Sequence, residues 1–251
     1  MLLREDERGL LAIGQPSHAW LSGQLARAWG NERFGVLEPH EEVCLAAEQH
    51  DVGWIMRDLE PLFNPDTARP RSFMEMPIDL HLGLFTHGPH SLVSQSRYAA
   101  LLVSMHGWRL YSRRDLDKLP AAHAEAIRAF LAEQRAFQDE LAATLEADPD
   151  QLERNSRLVW TWDYLSLALC LDWAPATATK CPPADGRVDL ELTPGPDHRG
   201  LGLEPWPFSV PELTVRCEGR RLPGRFEDEA EMRDAFARAP WESVEFHLAS
   251  A

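Results

Sequence analysis

The sequence predicts a mainly α-helical protein: a helical domain over residues 1–175 with a small β-rich C-terminal extension, residues 176–251, packed on it. Three observations predict this. Apolar residues recur at helical spacing through the first two-thirds of the chain. The composition shifts after Trp173, and period-two alternation of the kind strands show appears only beyond that point.

The elements follow in order. Pro16 stands where a first helical position is expected, and SHAWLSGQLARAW runs from it to Gly30, a stop signal. His18, Leu21, Leu25 and Trp29 share one face of that helix. Pro39 opens the next, where Val43, Ala46, Ala47 and His50 keep the i, i+3, i+4, i+7 pattern until Gly53. The proline-punctuated stretch from Leu59 to Leu84 reads as a long ordered loop, a length often tied to function. A third helix is expected from near Pro89 to Gly107, with Leu92, Ala99, Leu102 and His106 on one face. An Ala/Glu-rich amphipathic helix spans Ala121 to about Ala147. The last strong helix, QLERNSRLVWTWDYLSLALCLDW, carries Asp163 among Val159, Trp160, Leu167 and Cys170. APATATKCPPADG then reads as a linker. VDLELTP, ELTVRCEG and WESVEFHLA alternate like strands, with a short helix near Glu227 to Ala237.

With 44% hydrophobic and 26% charged residues the composition is that of a globular protein. No apolar run is long enough for a membrane span, and MLLREDERGLLAIG lacks the apolar core of a secretory signal. A net charge of −15 argues against broad nucleic-acid binding, but not against a small anionic substrate at a metal centre. Cys44, Cys170, Cys181 and Cys217 form no C-x-x-C pair, so they read as reduced thiols in a cytoplasmic protein rather than as a zinc knuckle.

Four polar residues lie on or beside apolar helix faces: His18, the adjacent His50 and Asp51, and Asp163. A buried, unpaired carboxylate costs several kcal/mol or gains a proton. A divalent cation held by two imidazoles and two carboxylates would satisfy all four groups, and such nitrogen/oxygen sets suit several transition metals. The plain alternative is a histidine at a helix C-terminus followed by an aspartate in a turn.

The order H…HD…D, with QPSHAW, AAEQHDVGW, LLVSMHG and WDYLSL around it, resembles the HD-domain superfamily and, within its orbit, an uncharacterised bacterial family. The resemblance covers roughly residues 10–175, and PWPF in the C-terminal extension is similar to that group as well. It implies an HD-like helical bundle in which His18, His50, Asp51 and Asp163 hold a divalent transition metal (Mn, Fe, Ni or Zn). It implies a catalytic role for Asp51, which bridges when a second ion is present. Extra histidines mark the two-metal members, and His106 is the better candidate here, with His87 or His81 as a further ligand from the expected loop.

The function expected is metal-dependent hydrolysis of a small phosphate ester by metal-activated water. The rivals are an HD-type di-iron oxygenase and a non-catalytic metal-binding protein. Arg57, Arg97, Arg113 and Arg114 could grip a phosphate, although exposed ion pairs are their ordinary fate in an acidic chain. Trp54 could wall the pocket. His40, His123, His198 and His247 read as surface residues. No Gly-rich phosphate loop, nucleophile elbow or H-E-x-x-H occurs. The partners expected are a small-molecule substrate and, kept open, a second copy of the chain, but no nucleic acid and no membrane.

Overall fold

The structure is a computed structural model and describes residues 1–195 and 199–251; His198 lies outside the described residues. In chain order the elements are β1 (Leu2–Asp6), β2 (Gly9–Ile13), α1 (Gln15–Ala28), α2 (His40–Gln49), α3 (Ile55–Leu59), β3 (Phe63–Asn64), β4 (Arg69–Pro70), α4 (Ile78–Leu92), α5 (Arg97–Ser112), α6 (Ala121–Leu145), α7 (Pro149–Leu171), β5 (Ala176–Cys181), β6 (Val188–Pro194), β7 (Gly200–Glu204), β8 (Glu212–Leu222), α8 (Glu229–Arg238) and β9 (Trp241–Ser250).

The mainly α expectation, an HD-like bundle with a small β unit, is overturned. Seven strands form one sheet in the order β1-β2-β8-β9-β7-β6-β5, with strands from both sides of residue 175. The opening segment is a hairpin. Asp6 pairs with Gly9 across a two-residue turn, and the Asp6 carboxylate accepts the Arg8 backbone N–H at 2.8 Å, the local bond that makes aspartate a turn residue. β2 then pairs antiparallel with β8. The one parallel pairing in this sheet joins β7 to β9. The stretch expected as a linker after Trp173 supplies β5.

One sheet face packs on the helices through Leu11, Ile13, Val215, Cys217, Phe246 and Leu248. The other turns Leu10, Ala12 and Leu222 toward Met232 and Phe236 of α8; burying side chains of that size contributes roughly 1.5–3 kcal/mol each. β2 is therefore covered on both faces. GLLAI consequently shows no alternation, and the strand is invisible to a period-two reading.

The expected loop from Leu59 to Leu84 and the helix start at Pro89 are both corrected. α4 begins at Ile78, and Pro89 lies inside it. The chain breaks after α4, and Ser96 restarts it by accepting the Ala99 N–H at 3.1 Å, an N-cap. His90 and His106 thus sit on different helices. Glycines let α4 lie close to its neighbours. A Cβ on Gly53 would collide with the Leu84 carbonyl oxygen, and one on Gly107 would come within 2.9 Å of the Phe85 ring. Among the described residues no helix is long and apolar enough to cross a membrane.

Candidate metal centre

α1 and α2 pack side by side, and α7 crosses both. His18 sits one turn into α1, His50 and Asp51 end α2, and Asp163 lies midway along α7. His18 Nε2, His50 Nε2 and an Asp163 carboxylate oxygen converge, with ligand atoms all within 4.8 Å of one another. The two Nε2 atoms are 3.3 Å apart. Asp163 Oδ1 lies 3.3 Å from His50 Nε2 and 3.8 Å from His18 Nε2. Asp51 Oδ2 joins from the other side, 2.9 Å from His18 Nε2 and 3.6 Å from His50 Nε2. His106 on α5 brings its Nε2 to 3.8 Å from Asp163 Oδ2. Of the six residues expected at the centre, His18, His50, Asp51, Asp163 and His106 come together and His87 does not.

Hydrogen bonds behind the rings decide which nitrogens face inward. Ser166 Oγ donates to the Asp163 carbonyl at 2.8 Å, so it accepts from His18 Nδ1–H, also at 2.8 Å. Ser22 donates to the same hydroxyl at 3.0 Å. His50 Nδ1–H donates to the Ala47 carbonyl at 2.8 Å. With both Nδ1 protons committed, both Nε2 atoms face one spot and are the nitrogens left for a metal once their shared proton is displaced, which is how ligating histidines are generally held.

The electrostatics fit a cation. Burial opposes charge on His50, but Asp51 and Asp163 outweigh it and push the imidazolium up to about 9. Burial would raise Asp51, yet His50 and His18 hold its carboxyl well below the usual range. Burial likewise works against the Asp163 carboxylate, and the His50 hydrogen bond and charge bring it below its ordinary value. His106 is pushed down to about 4 by burial despite Asp163. A proton shared among these groups does in part what a divalent cation would do fully. The two imidazoles and two carboxylates fit such an ion by donor type and by convergence.

His87 is exposed on α4 and takes no part. His81, six residues nearer the helix start and in phase with Leu82, Phe85 and Gly88, is the histidine of α4 that turns inward. It is buried, its Nδ1 meets the Tyr111 hydroxyl, and its Nε2 has no partner among the described residues. Burial pushes it down to about 4. Its ring lies 5.2 Å from Trp54 and 5.0 Å from Phe85, which in turn lies 6.2 Å from His106. The signal for His81 was its phase with Phe85, hidden by reading the segment as a loop. Ser166 and Tyr111 carried no signal in the sequence. A cavity of about 800 Å³ lined by Ser17, Ile55, Asp58, Arg220 and Trp241 takes in none of the metal-centre residues.

Residues 1–224 match the profile of DUF3891, a family described as proteins of unknown function. The chain belongs to DUF3891. The match takes in every residue of the centre together with strands β1 to β8, so in this DUF3891 chain the sheet and the histidine–aspartate cluster fall within one family unit. No curated protein and no solved structure matches the chain.

Proposed function

We propose that the chain is a metal-dependent hydrolase acting on a small phosphate ester, with an HD-type centre set on helices that lean against a large sheet. The observation that carries this is the convergence of two Nδ1-anchored imidazoles and the Asp163 carboxylate within 4.8 Å of one another, with the buried Asp51 carboxylate beside both Nε2 atoms. His18, His50, Asp51 and Asp163 would hold the ion. Bound there, a divalent metal supplies Lewis acidity toward a phosphoryl oxygen and acidifies water.

The chain's own groups supply the rest. Ser166 and the Ala47 carbonyl keep the two imidazoles in the ligating tautomer. Asp51, kept ionised, is assigned the catalytic role as the carboxylate beside both Nε2 atoms. Phe85 and Trp160 pack against the ring of His106 and cover that side of the centre, while Trp54 packs against His81. The resemblance to the HD superfamily supports this reading through the residues, and the family carries no described activity that bears on it.

A second reading has its own observation. His106 Nδ1 and His81 Nε2 both lack partners among the described residues, and two more nitrogen donors would suit a second ion and the oxygen chemistry of a di-iron centre. A purely structural metal is the third reading. The four free, buried thiols support placement in a reducing compartment, the cytoplasm.

The test is elemental analysis of untagged protein purified without chelator, beside the double variant His50→Ala/Asp51→Ala. One or two equivalents of Mn, Fe, Ni or Zn, lost in the variant, and turnover of phosphate esters are expected. Iron with oxygen consumption and no ester turnover would favour the second reading; metal without either would favour the third. No metal after reconstitution sinks all three.

A further inference from the structure

The cavity of about 800 Å³ that takes in none of the metal-centre residues lies where strands β2, β8 and β9 and helix α8 meet the start of α1 and α3. Pro16, Ile55, Leu59, Phe236 and Trp241 make its lining mainly apolar. Three of these side chains face water: Ile55 is 45% exposed, Leu59 59% and Trp241 63%. A single exposed apolar residue is ordinary, but several gathered around one cavity mark a binding surface. A space of this volume with an apolar lining and few polar groups suits a small molecule.

The charged groups of the lining decide which kind. Asp58 is spent, accepting from the Gln15 backbone N–H and the Met1 amine. Glu60 is largely exposed beside Arg57, Arg233 pairs with Glu229 at 2.8 Å, and Glu218 is exposed. Arg220 is half-buried and held from two sides. Its Nη1 donates to the Phe236 carbonyl at 2.7 Å and to those of Ala237 and Ala239 at 3.4 Å, at the end of α8 where a cation is favoured. The rings of Phe236 and of Trp241, its cross-strand partner, lie 5.0 Å and 4.2 Å from the guanidinium. Its Nε and Nη2 have no partner among the described residues. A guanidinium pinned through one nitrogen in the lining of an apolar cavity keeps a fork of two donors, and such a fork matches a carboxylate.

We propose that this cavity binds an amphipathic organic carboxylate, with its apolar body against Ile55, Leu59, Phe236 and Trp241 and its carboxylate on the free Nε–Nη2 edge of Arg220. The site is separate from the histidine–aspartate cluster and stands or falls without the hydrolase reading. Arg220 acts here as a binding group; no bond to it forms or breaks.

The experiment is calorimetric titration of the full chain with octanoate, octylammonium and octanol, which share an apolar body and differ in the head. The wild type, Arg220→Gln, Leu59→Ser, Ala237→Trp and Val36→Ser are compared, with melting temperatures taken on the same samples. Ala237 is exposed and lines the cavity, so an indole there fills the space without entering the core. Val36 is as exposed as Leu59 but lies outside the cavity. Octanoate is expected to bind, and to weaken about tenfold or more in Arg220→Gln, since hydrogen bonds to charged groups are worth that much. Octanol binds more weakly and is unaffected by Arg220→Gln. Leu59→Ser weakens octanoate, Ala237→Trp abolishes its binding, and Val36→Ser has no effect. Arg220→Gln also removes a tie to α8; should its melting temperature fall, Leu59→Ser and Ala237→Trp decide the site. No octanoate binding, binding untouched by Ala237→Trp, or equal weakening in Val36→Ser overturns the proposal. Octanol or octylammonium binding as tightly as octanoate overturns the carboxylate assignment.

Discussion

Ser166→Ala separates a prepared metal site from a chance cluster. The hydroxyl is fully buried, accepts from His18 Nδ1–H and Ser22, and donates to the Asp163 carbonyl. Removing it leaves the Nδ1–H without an acceptor, which costs about 1–3 kcal/mol for a buried donor. Ser22 loses little, because it keeps the Trp162 carbonyl at 3.2 Å. Alanine returns about 0.5 kcal/mol through its helix propensity. The expected net loss in the metal-free protein is therefore about 1–2 kcal/mol by urea unfolding. The ligand ring also loses its anchor, and changes behind metal-bound histidines typically lower affinity by about 10–100-fold. Chelator competition measures that directly. Should stability fall while metal affinity holds, Ser166 only packs and the tautomer argument is wrong. Should neither change, His18 is not held as described.

The pH response follows from His50, whose value near 9 lies above its unfolded value near 6.5. Its ion pairs stabilise the metal-free protein fully below pH 6.5, and that contribution is lost as pH rises through 9; melting temperatures across that window check it. A metal displaces the same proton, so its apparent affinity is expected to climb up to about tenfold per pH unit below 9. His106→Ala is expected to reduce a two-ion protein to one ion, whereas His87→Ala, altering an exposed side chain, leaves metal content unchanged; metal analysis reads both, and a loss in His87→Ala would contradict the placement of α4. Gly53→Ala forces a Cβ into the Leu84 carbonyl oxygen, and a loss of roughly 1–3 kcal/mol with displaced α4 is expected from overpacking of this kind. Normal stability there would mean the contact is looser than described.

The histidine–aspartate cluster was readable because its members sit where chemistry and helical phase conflict: His18, His50 and Asp163 each place a polar group on an apolar face. Such a conflict survives any error about the surrounding fold. The sheet was not readable for a physical reason. β2 is buried on both faces, and β5 hides in a stretch rich in alanine and threonine, so neither strand shows the solvent-facing alternation that marks β8 and β9. α4 was missed because Pro89, usually a sign of a helix start, lies in its last turns, and because the prolines before it made the segment read as a loop. That error left His87 and His81 undistinguished as candidates from a loop, although only His81 turns inward.

The pairing of β2 with β8 joins Leu10 to Leu222, segments far apart in sequence. Bringing such distant segments together carries a large loop-closure entropy before any contact repays it, and chains dominated by non-local pairings fold slowly. α1 follows directly from β2 and rests on β8, so its orientation, and with it the aim of His18, depends on a strand synthesised well after it. All the proposed ligands precede residue 164, yet a nascent chain that already carries them lacks the platform that aims them. An ion held by these residues would therefore be captured only after β2 and β8 have paired.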